Sequence, residues 1–424
     1  MFKTLLNAWK VPDLRKKILY TLMMLFVYRL GAHVPIPGID VGFVGDAIGN
    51  SALLGYMDIF SGGALSSLTV FALGIIPYIN ASIIMNLLPM AIPALERMVK
   101  EGPDGRKKIA SITRYLTVVL GLVMAVGILT SLGNSALVEP TLFNKATVVL
   151  CLTAGTAFIM WIGEKINEAG IGNGISLIIF ISIVSRLPEM FITMFVGTFL
   201  GGQLGMTYVT FFAIIVVLLL VVTGITFVDL GERRIPVQYA KRVVGRKMYG
   251  GQSTYIPMKI NQSGVLPLIF AMTLMQFPAI IIQTFFNESG FANFYETYLA
   301  AGSWVYAVIY ALLIFFFTFF YTQISFNPVD VSKNIQGNGG FILGIRPGKP
   351  TSDYLAKILT RVTLFGALFL AAIASVPTLM KSLSAVAGGI FGATSLLIMV
   401  NVSLETTKQI ESQLLMRHYK GFLK

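Results

Sequence analysis

Ten long apolar runs limit what this chain can become. They lie at about 18–34, 70–92, 111–132, 147–167, 174–195, 209–228, 263–284, 304–325, 358–379 and 385–404. Most approach the ~20 residues that a helix needs to cross ~30 Å of hydrocarbon. Lipid offers no hydrogen bonds to backbone amides, so each run is predicted to be a helix. Of the 424 residues, 55% are hydrophobic and 12% charged, against about 25% charged in soluble domains. The reading is an all-α polytopic membrane protein. The first run is followed by "HVPIPGID" and no small-residue cleavage site, so it is taken as a retained span and not a removed signal peptide.

Basic residues predict the orientation. Of 32 lysines and arginines, 28 lie before span one, around the loops after spans two, four, six and eight, or after span ten. Arg29, Lys145, Arg186 and Lys381 are the exceptions. Such segregation places both termini in the cytoplasm. A net charge of +13 would suggest nucleic acid in a soluble protein. Here it is gathered in the inner loops, and its location matters more than its sum.

Two inner loops, about 229–262 and 327–357, exceed what orientation requires. In the first, "RIPVQYA" and "STYIPMKI" alternate apolar and polar residues, which predicts a structured hairpin. Both loops read either as solvated, orienting segments or as a docking surface for a large cytoplasmic partner. Ten spans divide as five plus five, and an odd number per half would make related halves inverted across the membrane. The expected divisions are an N-terminal segment 1–17, halves 18–199 and 200–404, and a tail 405–424.

Other chemistry is missing from the pattern. Cys151 is the only cysteine and sits in an apolar run, which reads as a packed thiol. His33 and His418 lack ligand spacing, so neither a metal nor a cofactor is expected. "GEKINEAGIGNG" (163–174) lacks the preceding strand and the Lys-Ser/Thr ending of a phosphate loop. Its glycines read as helix punctuation, and the chain is not expected to be an enzyme. The centres of spans two, five, seven and ten, "GIIPYINASII", "ISLIIFIS", "PLIFAMTLMQF" and "TSLLIMVNV", carry no Asp, Glu, Lys or Arg. That disfavours a proton relay. Arg29 reads as a side chain near the outer end that can snorkel, and Glu164, next to Lys165, as sitting at the inner mouth.

Residues 56–69 pose a separate problem. "MDIFSGGALSS" is polar, broken by glycines and too short to cross a membrane, yet it leads directly into span two. It reads either as a helix on the outer surface, which composition alone favours, or as a helix folded back into a protein-lined cavity as a movable stopper.

An ordered set of short motifs carries a resemblance. "PIPGID" (35–40), "FSGGALS" (60–66), "FALGIIPYINASII" (71–84), "GRKKI" (105–109), "GIGNGIS" (170–176), "QSTYIPMKIN" (252–261), "FNP" (326–328), "GIRPG" (344–348) and "GATSLLI" (392–398) recur in the order found in the SecY family. The chain resembles that family from about residue 10 to 420. The resemblance implies an hourglass protein-conducting channel between two inverted five-helix halves in the bacterial plasma (inner) membrane. It implies a plug at about 56–69, with Tyr56, Met57, Asp58, Ile59, Phe60, Ser61, Gly62, Gly63, Ala64, Leu65 and Ser66. It implies a pore ring of Ile75, Ile79, Ile175, Ile179, Ile269 and Ile398, and a lateral gate marked by Asn80, Gln276 and Phe277. The docking surface would use Arg233, Arg234, Lys241, Arg242, Arg246, Lys247, Arg346 and Lys349. Implied partners are SecE, SecG, the motor ATPase SecA, a ribosome, signal sequences, nascent polypeptides and membrane lipid. Asn80 stands where the family often has a smaller hydroxyl residue. A secondary transporter of a small solute, built on inverted repeats, is the alternative reading, and a membrane assembly scaffold a third.

Overall fold

The structure is a computed structural model. It describes the chain except for residues 1, 51–54, 56–57, 59–60, 200–207, 240–241, 245–246, 250–252, 286–294, 296–302, 384–392 and 422–424. The chain divides into two compact units. One holds Met1–Gly205, Gln276–Ala301 and Val402–Lys424, the other Met206–Met275 and Gly302–Asn401.

In the first unit α1 (Phe2–Lys10) leads into α2 (Pro12–Gly31), which opens with proline in its first turn and Asp13 near its N-terminus. Proline at that place loses no intrahelical bond, and an acidic group suits the positive end of the helix dipole. The short α3 (Val41–Asn50) follows, and its Val44 and Ile48 share a core with Leu65, Leu68 and Leu73 of the segment 61–75. Next come α4 (Ile76–Ala91) and α5 (Pro93–Lys100), which meet at a bend of 97°. Ile92 sits in an extended conformation between them, as a residue before proline should. The long helices α6 (Pro103–Leu132), α7 (Leu142–Ala169) and α8 (Gly174–Phe199) complete the body. Thr141 caps α7 by accepting from the Asn144 amide at 3.3 Å.

The second unit contains α9 (Tyr208–Leu230), the first half of α10 (Leu266–Phe285), α11 (Trp304–Ser325), α12 (Pro328–Gly337) and α13 (Lys349–Leu383). The last helix of the chain is α14 (Ala393–Gly421). Between α9 and α10 the predicted hairpin is present. Strand β1 (Glu232–Tyr239) pairs antiparallel with β4 (Ser253–Lys259), Ile235 opposite Ile256, and also with β5 (Gly340–Phe341). A second small ribbon joins β2 (Arg242–Val244) to β3 (Lys247–Tyr249). Ile235 and Val237 point inward onto Ile335, Ile342, Leu355 and Leu359, while the alternate residues face out.

Six described helices are long and apolar enough to cross a membrane, and the bent pair α4–α5 makes a seventh. The other predicted spans also meet helices. The first, α2, carries Asp13, Arg15, Lys16, Lys17 and Arg29, a charged flank that a hydropathy window penalises. Span two starts as a helix only at Ile76, because residues 62–75 form successive turns. Threonines inside the apolar helices bond to the carbonyl four residues back, as Thr117 does to Thr113 (2.7 Å) and Thr318 to Ile314 (2.6 Å). Their hydroxyls thus stay satisfied without water. Between α6 and α7, Arg114 Nε reaches Glu164 Oε1 at 2.7 Å, so Glu164 ties two helices together.

The turns at 62–75 are packed hard against α7. A Cβ on Gly155 would lie 1.8 Å from the Val70 carbonyl oxygen, a distance no side chain tolerates. Gly155→Ala should therefore lower the thermal midpoint of the detergent-purified chain by an amount matching the ~1–3 kcal/mol of an overpacked core. Gly224→Ala, where nothing lies within 4 Å, should leave it unchanged or raise it. Equal midpoints for the two variants would contradict this packing.

Candidate functional site

The polar segment that precedes α4 is buried within the first unit. Asp58, Ser61, Ala64, Leu65, Leu68, Thr69, Ala72 and Leu73 are all nearly inaccessible. Its leucines Leu65 and Leu68 share one core with Ile128 and Leu152, so the described part of the segment packs inside protein and is not laid on a surface. Tyr56, Met57, Ile59 and Phe60 lie outside the described residues.

Local chemistry explains how so irregular a stretch can be buried. After α2 the chain runs extended through Val34–Ile36, and there it pairs with the end of the segment. The Ile36 amide donates to the Leu68 carbonyl at 3.2 Å, and the Val70 amide to the Val34 carbonyl at 3.1 Å. "PIPGID" thus supplies a strand-like ledge, with Pro35 opposite Thr69. Gly62 and Gly63 take φ of +70° and +90°, which only glycine adopts freely. Leu68 sits at φ +36° without being glycine, a strained position held by its packing on Ile36, Leu65 and Leu73.

Side chains then bind the segment to two helices. From α2, Arg29 Nη1 donates to the Gly62 carbonyl at 3.1 Å. Arg29 therefore grips the segment instead of snorkelling to the outer surface. The Tyr28 hydroxyl shares a hydrogen bond with Ser182 Oγ of α8 at 2.6 Å and lies 3.4 Å from the Ser61 carbonyl. From α8, Arg186 forms an ion pair with Asp58. The second carboxylate oxygen of Asp58 accepts from the Ser66 amide (2.9 Å) and Ser61 Oγ (3.3 Å). Arg186 was not among the residues expected to matter. Its only sequence signal was its place as a basic exception to the inside rule.

The expected pore residues are placed as follows. Ile75 and Ile79 lie four residues apart at the start of α4, the first buried and the second half-buried. Ile175 and Ile179 share one face of α8 in the same way. Ile175 packs over Gly163 of α7, where a Cβ would come within 3.3 Å. In the second unit Ile269 of α10 is half-buried and Ile398 of α14 is 2% exposed. None of the six is exposed. Asn80 is buried on α4, with its amide nitrogen 4.0 Å from Met124 sulfur and its oxygen lacking a hydrogen bond among the described residues. Gln276 and Phe277 belong to α10, and their side chains lie outside the described residues.

The basic residues of the second unit gather around its sheet. Arg233 and Arg234 lie exposed on β1. Arg234 accompanies Glu232 at 2.6 Å and lies 4.8 Å over the Tyr255 ring, and the Glu232 contact holds its pKa above the ordinary arginine value. Arg346 and Lys349 are exposed at the turn into α13. That turn is pinned by Ser332 Oγ on the Gly348 carbonyl (2.7 Å) and Thr351 Oγ1 on the Arg346 carbonyl (2.8 Å). Arg242 and Lys247 belong to β2 and β3, and Lys241 and Arg246 lie outside the described residues.

Comparison with known proteins gives this geometry a context. The SecY family model matches residues 69–407. The chain is 47% identical to the protein translocase subunit SecY of Streptomyces galbus and 43% identical to that of Mycobacterium tuberculosis H37Rv, over 100% of both chains in each case. Among solved structures it is similar to a protein-conducting channel, with a TM-score of 0.66 at 18% identity, covering 94% of this chain and 92% of that one. It is similar also to Sec61 from a canine ribosome–channel complex, with a TM-score of 0.64 at 17% identity, covering 94% and 92%. At those identities the structural likeness is one of fold. The full-length sequence identity, and not a single motif, carries the assignment: the chain belongs to the SecY family.

Proposed function

We propose that this chain is the central channel through which unfolded secretory polypeptides cross the bacterial inner membrane, with both termini in the cytoplasm. The observation that carries the reading is full-length identity of 43–47% to named SecY translocase subunits. The buried segment ending at Thr69, in front of an apolar helix start, supports it. A plug must be irregular enough to leave and sealed enough to stay, and this segment has both properties.

The six isoleucines form the waist of the conduit, and residues 56–69 its plug. Branched aliphatic side chains exclude water and ions from a narrow passage by dewetting. They present no charge to hold a substrate, so any unfolded sequence can slide past. A sufficiently apolar segment gains by leaving sideways into lipid, at roughly −0.5 kcal/mol per leucine against about +3 for a central charge. Asn80, Gln276 and Phe277 mark the gate through which it leaves.

Driving force comes from outside the chain, and we assign it no enzymatic step. The exposed arginines and lysines on β1 and at the turn into α13 suit a motor such as SecA, or a ribosome, whose acidic or phosphate groups they would meet. SecE and SecG are the expected membrane partners. The pinned turn carrying Arg346 suits a coupling contact, because its backbone cannot yield when pushed.

Ile79→Asn should hydrate the waist and raise export of a reporter with a defective signal sequence several-fold, along with resting ion leak. Parental values for both would reject the ring. Arg346→Glu should lower motor-driven export roughly tenfold, since a docking charge becomes repulsive, while the protein still accumulates in the membrane. Normal export would reject the docking role.

A further inference from the structure

We propose that Asp58, Arg186 and Glu189 set how readily the channel opens, and hence how stringently it selects signal sequences. This rests on the plug reading above. Arg186 lies 12 positions into α8, about 18 Å along its axis at 1.5 Å per residue. That is past the middle of a bilayer entered from the cytoplasmic end, where a lone charge is strongly disfavoured. Its partner Asp58 is 5% exposed and lies 128 residues away in the chain.

Two features make the pair a latch and not merely a brace. First, it engages the plug segment itself. One oxygen of Asp58 closes the segment on its own Ser61 and Ser66, and the other holds Arg186. Gly63 lets the guanidinium lie flat on the backbone, since a Cβ there would come within 3.0 Å of Nη2. Arg29 on the Gly62 carbonyl adds a second grip from α2. When the plug leaves, these contacts break together.

Second, Arg186 has a replacement at hand. Glu189, one turn along α8 and 72% exposed, already places Oε2 3.9 Å from Nη1. A half-buried Arg186 stripped of Asp58 would oppose opening. Passing the guanidinium to Glu189 keeps the charge paired during release. Asp58 holds the shut state and Glu189 receives the arginine in the open one. The Arg186 Nε is buried and makes no hydrogen bond among the described residues, so no bond at that nitrogen has to break when the group changes partner.

The test uses full-length chain in its native complex, with export of a defective-signal reporter and resting ion conductance as readouts. Asp58→Asn and Arg186→Gln should each raise defective-signal export roughly tenfold, the size expected for losing a charged hydrogen bond, and raise conductance. The exchange Asp58→Arg with Arg186→Asp should return both toward parental values. Glu189→Gln should slow export of a reporter with an intact signal, and an unaltered rate would reject its part. Deleting residues 57–67 serves as the reference. If the deletion loosens the channel while Asp58→Asn does not, the latch is wrong and the plug stands. If the deletion changes nothing, the plug reading fails and the latch with it. Should Asp58→Asn fail to accumulate, the double variant Asp58→Asn with Arg186→Gln is read instead. Loosening in that variant supports the latch, and parental stringency rejects it.

Discussion

A polar group at membrane depth must find a partner inside the protein. Most of this structure follows from that requirement. The long helices meet it within themselves, and their threonines meet it by bonding to carbonyls one turn back. The stretch before α4 cannot do so, because glycines and serines interrupt its helix. It is satisfied by what surrounds it: a strand-like ledge at Val34–Ile36, the guanidinium of Arg29, the hydroxyl of Tyr28 and the ion pair with Arg186. A non-helical segment is thereby held in the protein interior through a small set of separable bonds. A segment so held meets the physical condition for the plug proposed above.

The second unit solves a different problem. Its strands lie outside the apolar helices and bury one face on α12 and α13 through Ile235, Val237, Ile335 and Leu355. The other face is left to charged and aromatic groups. A rigid sheet edge carrying exposed arginines suits transmission of force from a partner better than a mobile loop of the same charge. The hydrogen bonds that pin Gly348 and Arg346 extend this rigidity to the turn before α13. In this reading selection and sealing belong to apolar and paired groups, and energy input to exposed basic ones.

Much of this was legible in the residues themselves. Apolar runs located the helices, and the period-two alternation of "RIPVQYA" located β1 with its inward Ile235 and Val237. Helix ends were less legible. Both α6 and α13 begin well before their apolar runs, at Pro103 and Lys349, because a helix continues into water where hydropathy no longer marks it. Span two was read too long, since "VFALGI" is apolar enough to pass for helix but is folded into turns around Gly74 and Ile75. Arg29 reads as able to snorkel and Arg186 only as an exception to the basic pattern, and neither reading finds the residue's partner. Local sequence cannot supply it, because the group each one binds lies far along the chain.

The sequence by itself determined the membrane class, the helix positions and the family motifs. These depend on transfer free energies and backbone preferences that each short stretch carries alone. Only the tertiary structure decided that the Gly-broken segment is buried, that "PIPGID" is its ledge, and that Asp58 meets Arg186. Those outcomes depend on which distant segments approach within hydrogen-bond reach, and no local pattern encodes that distance.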